Sequence, residues 1–187
     1  TIKVSAIEKV ILFGDSLMAG YGLPNEQHLS VVLQNNLSLE GHNIEVINGS
    51  VSGSTTAGGL NIAEWTLSEN NIDLMILCLG ANDMLRGINP KETKNNLIEI
   101  IKIAKSKNIK VIIAGMIAPT SHGTNYKKSF DKIFKDLSNE YELQLIPFLL
   151  EGVAQKPEFN LSDGMHPNDK GTIIISKTLK EAILKNL

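Results

Sequence analysis

A chain of 187 residues, 42% hydrophobic and 20% charged, is long enough to bury a proper core and has the balance of a globular protein, which excludes disorder. Eighteen Lys+Arg against 20 Asp+Glu give a formal net charge of −2, and without a basic stripe the chain offers no nucleic-acid surface. No apolar run approaches the ~20 residues that span a bilayer, which excludes a transmembrane anchor, and no signal peptide is read.

Strand and helix patterns alternate along the chain. Lys9 to Phe13 is an apolar, β-branched run ending at Gly14, a strand signal. The spacing of Leu29, Val32, Leu33 and Leu37 predicts a helix over about Gln27 to Leu39. Asn43 to Ile47 reads as a second strand, a Gly/Ser/Thr-rich loop follows from Gly49, and a helix covers Thr56 to Ser68. Asp73 to Leu79 is a third strand, apolar throughout, as expected where both faces of a sheet are covered. Its Cys78, the lone cysteine, excludes an internal disulfide and a Cys-cluster metal site, and reads as a small core residue.

Pro90 fits the first turn of a helix running to about Lys107, with Leu97, Ile98, Ile101 and Ala104 on one face. Lys110 to Ala114 is a fourth strand. Tyr126 to Tyr141 reads as one helix with Phe130, Ile133, Phe134 and Leu137 inward. Leu143 to Pro147 is a short fifth strand. Asn168 to Asn186 is the last helix, with Ile174, Leu179, Ile183 and Leu184 as core positions. This βαβα repetition with short connections predicts an α/β protein: a doubly wound, five-stranded parallel sheet between two helix layers. With no repeat or linker, residues 1–187 read as a single domain. In such sheets ligands bind beyond the carboxyl ends of the strands.

The residues that carry chemistry cluster at those ends. Asp163 and His166 stand three residues apart before the last helix, and Pro167 fixes the backbone that follows. A carboxylate so placed can hold one imidazole nitrogen and leave the other free as a base. His28, His42 and His122 have no such partner; the first two read as surface residues and His122 as a loop residue. A base needs a nucleophile, and Ser16 in Gly14-Asp15-Ser16-Leu17 follows the first strand. The loop Asn48-Gly49-Ser50-Val51-Ser52-Gly53-Ser54-Thr55 can aim a glycine N–H at a ligand, and Asn82 in Gly80-Ala81-Asn82-Asp83 offers a side-chain amide. Each block alone has a plain structural reading as a helix N-cap, an Asx turn or a capping loop. Their joint occurrence, one candidate per role, points instead to a serine hydrolase. No G-x-G-x-x-G or G-x-x-x-x-G-K-[ST] pattern supports nucleotide binding.

The four blocks, from Gly14 through His166, resemble those of the SGNH, or GDSL, hydrolase family. Gly14-Asp15-Ser16-Leu17-Met18-Ala19-Gly20-Tyr21-Gly22, Gly80 to Gly87 and Asp163-Gly164-Met165-His166-Pro167-Asn168 look most like its bacterial thioesterase I, lysophospholipase L1 and arylesterase branch. The resemblance implies a flavodoxin-like three-layer α/β/α sandwich that needs no metal and no cofactor. It implies Ser16 as nucleophile, His166 as base, Asp163 as its orienter, and Ser16, Gly53 and Asn82 as the oxyanion hole. It also implies hydrolysis of small-molecule acyl esters, thioesters or lysolipids by a monomer. A periplasmic or secreted setting is implied too, with a cytoplasmic one as the alternative.

The chain departs from this branch in the loop Met116 to Gly123, where Ile117 and His122 change the pocket wall. Leu85, Arg86, Ile88, Ile117 and Pro119 are the expected substrate-binding residues, and their composition predicts an apolar acyl pocket. The segment Met84 to Ile88 matches one that closes over substrate in relatives. Two other readings stand beside the esterase: a carbohydrate O-deacetylase, and a non-catalytic acyl- or lipid-binding protein on the same fold. Aromatic residues at only 5% weigh against the first, and the intact Ser16, Asp163 and His166 against the second.

Overall fold

The computed structural model describes residues 7–68 and 71–187. Five strands, β1 (Lys9–Gly14), β2 (Glu45–Asn48), β3 (Leu74–Cys78), β4 (Lys110–Ala114) and β5 (Gln144–Ile146), form one sheet in the order β2-β1-β3-β4-β5. Every pairing is parallel, and the register sets Leu12 beside Ile76 and Gly14 beside Cys78. The central strands are apolar because both their faces are covered: β3 is buried throughout, and β1 is buried from Val10 onward.

Eight helices accompany the strands among the described residues: α1 (Ser16–Ala19), α2 (Leu29–Leu39), α3 (Thr56–Thr66), α4 (Ala81–Leu85), α5 (Pro90–Ser106), α6 (Thr124–Asp131), α7 (Ile133–Tyr141) and α8 (Asp169–Leu184). Helices α2 and α8 pack on each other in one layer, and α3, α5 and α7 lie side by side in the other. The expected three-layer α/β/α sandwich is therefore observed. The strand order reverses direction between β1 and β3, and the crevice beyond those two strand ends is the natural ligand position in this topology.

Local departures from the expected elements have identifiable forms. The second helix begins at Leu29 rather than Gln27, after a 3-10 turn at Asn25–Gln27. Between them His28 is held: its Nε2 bonds the Leu23 carbonyl at 3.1 Å, and a side chain on Gly20 would collide with its ring. His28 is thus half-buried and structural rather than a surface residue. The helix expected over Tyr126 to Tyr141 begins at Thr124 and is interrupted at Lys132, next to Asp131, whose carboxylate accepts from the Ala118 N–H at 2.8 Å and pairs with Lys127. In α8 it is Ile175 that is fully buried, whereas Ile174 and Leu184 are only half-buried. The segments after β1 and β3, expected as loops, are the short helices α1 and α4; four or five residues are too few to show a helical period.

Candidate active site

β1 delivers Ser16 to the crevice through a tight passage. A side chain at Gly14 would stand 2.7 Å from the Cys78 carbonyl and 2.8 Å from the Met18 sulfur, so only glycine lets β1 turn there beside β3. Asp15 then caps α1, its Oδ1 accepting from the Leu17 N–H at 3.0 Å. Ser16 is the first residue of α1.

At the far end of the chain, the segment before α8 folds back on itself. The Leu161 N–H donates to the His166 carbonyl at 2.7 Å, and the Asn168 N–H to the Phe159 carbonyl at 3.0 Å. Asn168 caps α8 through the Gly171 N–H and binds the Glu158 carbonyl with its amide. This frame carries Asp163 and His166. Asp163 Oδ1 accepts from the N–H groups of Met165 (2.9 Å) and His166 (3.0 Å), while Oδ2 lies 2.6 Å from His166 Nδ1. These bonds, the His166 N–H first, the Met165 N–H next and then the imidazole, lower the Asp163 carboxyl from 3.8 to about 2. A carboxylate only accepts, so Nδ1 carries the proton and Nε2 is left as an acceptor. His166 Nε2 is 3.0 Å from Ser16 Oγ. The geometry thus joins Ser16, His166 and Asp163 in a single line of hydrogen bonds, and neither Asp15 nor Asp83 touches the imidazole. Such a line lets a base remove a hydroxyl proton. The Tyr21 ring lies 4.3 Å from the imidazole, centroid to centroid, and forms part of its wall. Sequence reading missed Tyr21, although its place in the first block was a signal that could have found it.

The loops that carry Gly53 and Asn82 bond to the chain just before Ser16: the Val51 N–H donates to the Gly14 carbonyl at 3.0 Å and the Asn82 amide reaches Asp15. Val51 to Ser54 form a turn closed by the Ser54 N–H on the Val51 carbonyl, with Gly53 at the third position and φ +79°. That turn geometry calls for glycine. Among the described residues the N–H groups of Ser16 and Gly53 have no hydrogen-bond partner. The Asn82 amide donates to the Ser54 carbonyl at 3.0 Å and, at 3.3 Å, to Asp15 Oδ2. Two free N–H groups and an amide on neighbouring loops are the kind of donors that hold a developing oxyanion.

A cleft of about 590 Å³ opens along the ends of β4 and β5. Met84, Met116, Ile117, Ala118, Pro119 and Phe148 give it an apolar side, Lys127, Glu151 and Lys156 a charged one, and Met84 shares α4 with Asn82. Of the five expected substrate-binding residues, Ile117 and Pro119 line this cleft; Leu85, Arg86 and Ile88 do not. Because α4 is a helix, Met84 faces the cleft and its neighbour Leu85 turns out, 55% exposed. Arg86 reaches toward the Gly53 carbonyl at 3.4 Å instead, and the Ile88 carbonyl accepts from the Tyr126 hydroxyl at 2.9 Å. No group of three or more His, Cys, Asp or Glu able to hold a metal occurs among the described residues.

Comparison with known proteins agrees with this geometry. Residues 12–172 match the model of the GDSL-like lipase/acylhydrolase family. An arylesterase of Vibrio mimicus is 37% identical over 182 residues, covering 97% of this chain and 91% of that protein. The thioesterase 1/protease 1/lysophospholipase L1 of Escherichia coli (strain K12) is 30% identical over 168 residues, covering 90% of this chain and 79% of that protein. The crystal structure of the psychrotrophic esterase EstA from Pseudoalteromonas sp., inhibited by monoethylphosphonate, superposes with a TM-score of 0.91 at 30% identity, covering 95% of this chain and 97% of that one.

Asp15 adds a pH dependence to the fold. It is 1% exposed, and burial raises its carboxyl from 3.8 to about 6 against the opposing pull of the Leu17 N–H and of His166. A folded-state pKa above the unfolded one means that the native state binds the proton more tightly, so this group's contribution to stability is full below about pH 4 and declines as pH rises toward 6. The decline expected from Asp15 is on the order of 3 kcal/mol. Urea unfolding at a series of pH values between 4 and 7 should show that component in the wild type and lose it in Asp15→Asn; equal slopes for the two proteins would contradict the assignment.

Proposed function

The chain belongs to the GDSL-like lipase/acylhydrolase family as a serine esterase acting on carboxylic ester or thioester bonds, and from that premise we propose that Ser16, His166 and Asp163 are its catalytic triad. The observation that carries the assignment is the unbroken line from Asp163 Oδ2 through His166 to Ser16 Oγ, at 2.6 and 3.0 Å. His166 Nε2 takes the Ser16 proton as Oγ attacks the substrate carbonyl carbon. The carbonyl electron pair moves to oxygen, and that oxyanion is held by the N–H groups of Ser16 and Gly53 and by the Asn82 amide. Collapse of the intermediate breaks the bond to the alcohol or thiol, which leaves with the proton from Nε2. A water molecule then gives its proton to Nε2, attacks the acyl-serine, and releases the carboxylic acid and Ser16. Asp163, ionised down to about pH 2, supports the imidazolium and fixes its tautomer throughout.

The Asn82 amide must give up one of its present contacts to reach the oxyanion. The 3.3 Å contact to Asp15 is the longer of the two and the one more easily exchanged when the planar amide rotates as a unit. The apolar walls of the 590 Å³ cleft favour a hydrocarbon acyl chain over the acetyl group of a sugar, which supports the esterase reading above the deacetylase one.

Three outcomes are expected. A fluorophosphonate probe should label Ser16 in the wild type, and labelling should vanish in Ser16→Ala and fall sharply in His166→Ala; undiminished labelling of His166→Ala would remove the imidazole from the mechanism. Asn82→Ala should lower kcat by about 10²–10³, roughly 3–4 kcal/mol of transition-state stabilisation; an unchanged kcat would sink that assignment. Medium-chain p-nitrophenyl esters should be cleaved with higher kcat/KM than the acetate, and the reverse order would contradict an apolar acyl cleft.

A further inference from the structure

We propose that Asp83 is a positioning residue that sets the distance between the two oxyanion donors contributed by different loops, the Gly53 N–H and the Asn82 amide. The proposal rests on the oxyanion role of Gly53 and Asn82.

Asp83 is fully buried, with 0% exposure, and no basic side chain lies within ion-pair distance of it among the described residues. An unpaired buried carboxylate is costly unless donors surround it. Three do. Oδ2 accepts from the Thr56 N–H at 2.8 Å, and Oδ1 accepts from the Thr56 hydroxyl at 2.5 Å and the Thr93 hydroxyl at 3.0 Å. The Asn96 amide donates to the same Thr56 hydroxyl at 3.1 Å, which commits the hydroxyl proton to Asp83. Three helices therefore meet on one side chain: α4 carries Asp83, α3 starts at Thr56, and α5 supplies Thr93 and Asn96.

The Gly53 turn leads directly into Thr56, so whatever fixes Thr56 fixes the Gly53 N–H. Helix α3 already has its cap, Thr55, whose hydroxyl accepts from the Gly58 N–H. The Thr56 N–H, one of the unpaired donors at a helix start, is thus free for Asp83. Adjacent residues of α4 grip adjacent parts of the same segment: Asn82 binds the Ser54 carbonyl, and Asp83 binds Thr56. Asn82 is not the main anchor, because its amide is needed at the oxyanion. Asp83 bonds to neither Ser16 nor His166, and the three bonds it accepts hold the two loops in register. Misplacing a catalytic group by an ångström can cost about 100-fold in rate.

The test is a double-mutant cycle on purified enzyme with a p-nitrophenyl ester. In Asp83→Asn one acceptor oxygen becomes an NH2 donor, so the side chain can no longer accept from both the Thr56 N–H and the two threonine hydroxyls. We expect kcat to fall at least 10-fold with KM changed less than threefold. In an Asn82→Ala background the same change should cost markedly less, because one of the two donors it positions is gone. A general loss of folding would multiply both backgrounds equally, and that result overturns the proposal, as does a wild-type kcat in Asp83→Asn. Thermal melting shows whether Asp83→Asn folds. If it does not, Thr56→Val and Thr56→Ser decide within the same cycle: the valine should lower kcat and the serine should restore it, whereas equal kcat values in the two variants overturn the proposal. An Asn82→Ala enzyme with full activity would remove the oxyanion reading beneath it; an impaired Asn82→Ala beside an unaffected Asp83→Asn would overturn the positioning role alone.

Discussion

The rest of the structure answers to one contact, the 3.0 Å approach of His166 Nε2 to Ser16 Oγ between residues 150 positions apart. Neither partner can be placed by local structure alone. Ser16 is fixed because β1 lies second in the sheet, gripped by β2 and β3, and turns sharply at Gly14. His166 is fixed because the segment before α8 is folded against itself by backbone bonds and by the Asn168 cap. The two are brought together by one helix layer. Helix α2 follows α1, which carries Ser16; helix α8 follows His166; and α2 packs on α8. The Asn36 amide bonds the Ser176 hydroxyl at 2.9 Å and Glu40, at the end of α2, pairs with Lys180, tying the two helices together. The sheet order thus positions the nucleophile, and helix packing closes the base onto it.

What the sequence made legible divides along the same line. The strands and long helices were readable because they repeat: Leu97, Ile101 and Ala104 recur at helical spacing and are buried, and the unbroken apolar run of β3 announces a strand covered on both faces. The residues proposed as catalytic were readable for a different reason: they are chemically marked, Ser16, Gly53 and Asn82 following strands and Asp163 and His166 preceding the last helix. The parts that stayed hidden are set by tertiary contact or by elements too short to repeat. Helix α4 spans five residues, too few to show a period, so the sequence does not tell that Met84 faces the cleft while Leu85 is exposed. The interruption at Lys132 breaks a period that runs through Phe130, Ile133, Phe134 and Leu137 without a gap, and its neighbour Asp131 is engaged by a distant loop at Ala118. The tilted contact of Tyr21 with His166 joins the two ends of the chain, so only the place of Tyr21 in the first block hints at it.

Three aspartates surround this crevice, and their environments give them three different tasks. Asp163 is one-third exposed, receives two backbone N–H bonds, and holds its carboxyl near 2, so it remains an anion beside the imidazole wherever the imidazole can act as a base. Asp83 is buried among hydroxyls and a helix-start N–H, with its charge directed into the fold. Asp15 is buried like Asp83 but bonded only to the Leu17 N–H and, at a long 3.3 Å, to the Asn82 amide, so burial raises its carboxyl to about 6. A charge there is disfavoured, as it is not at Asp163. Environments that push equivalent groups apart are how one chemistry is divided into separate roles. The division lets a crevice crowded with carboxylates serve the proposed oxyanion hole: Asp163 sits behind the imidazole, Asp83 spends its oxygens on three hydrogen bonds, and Asp15 is held where burial disfavours its charge.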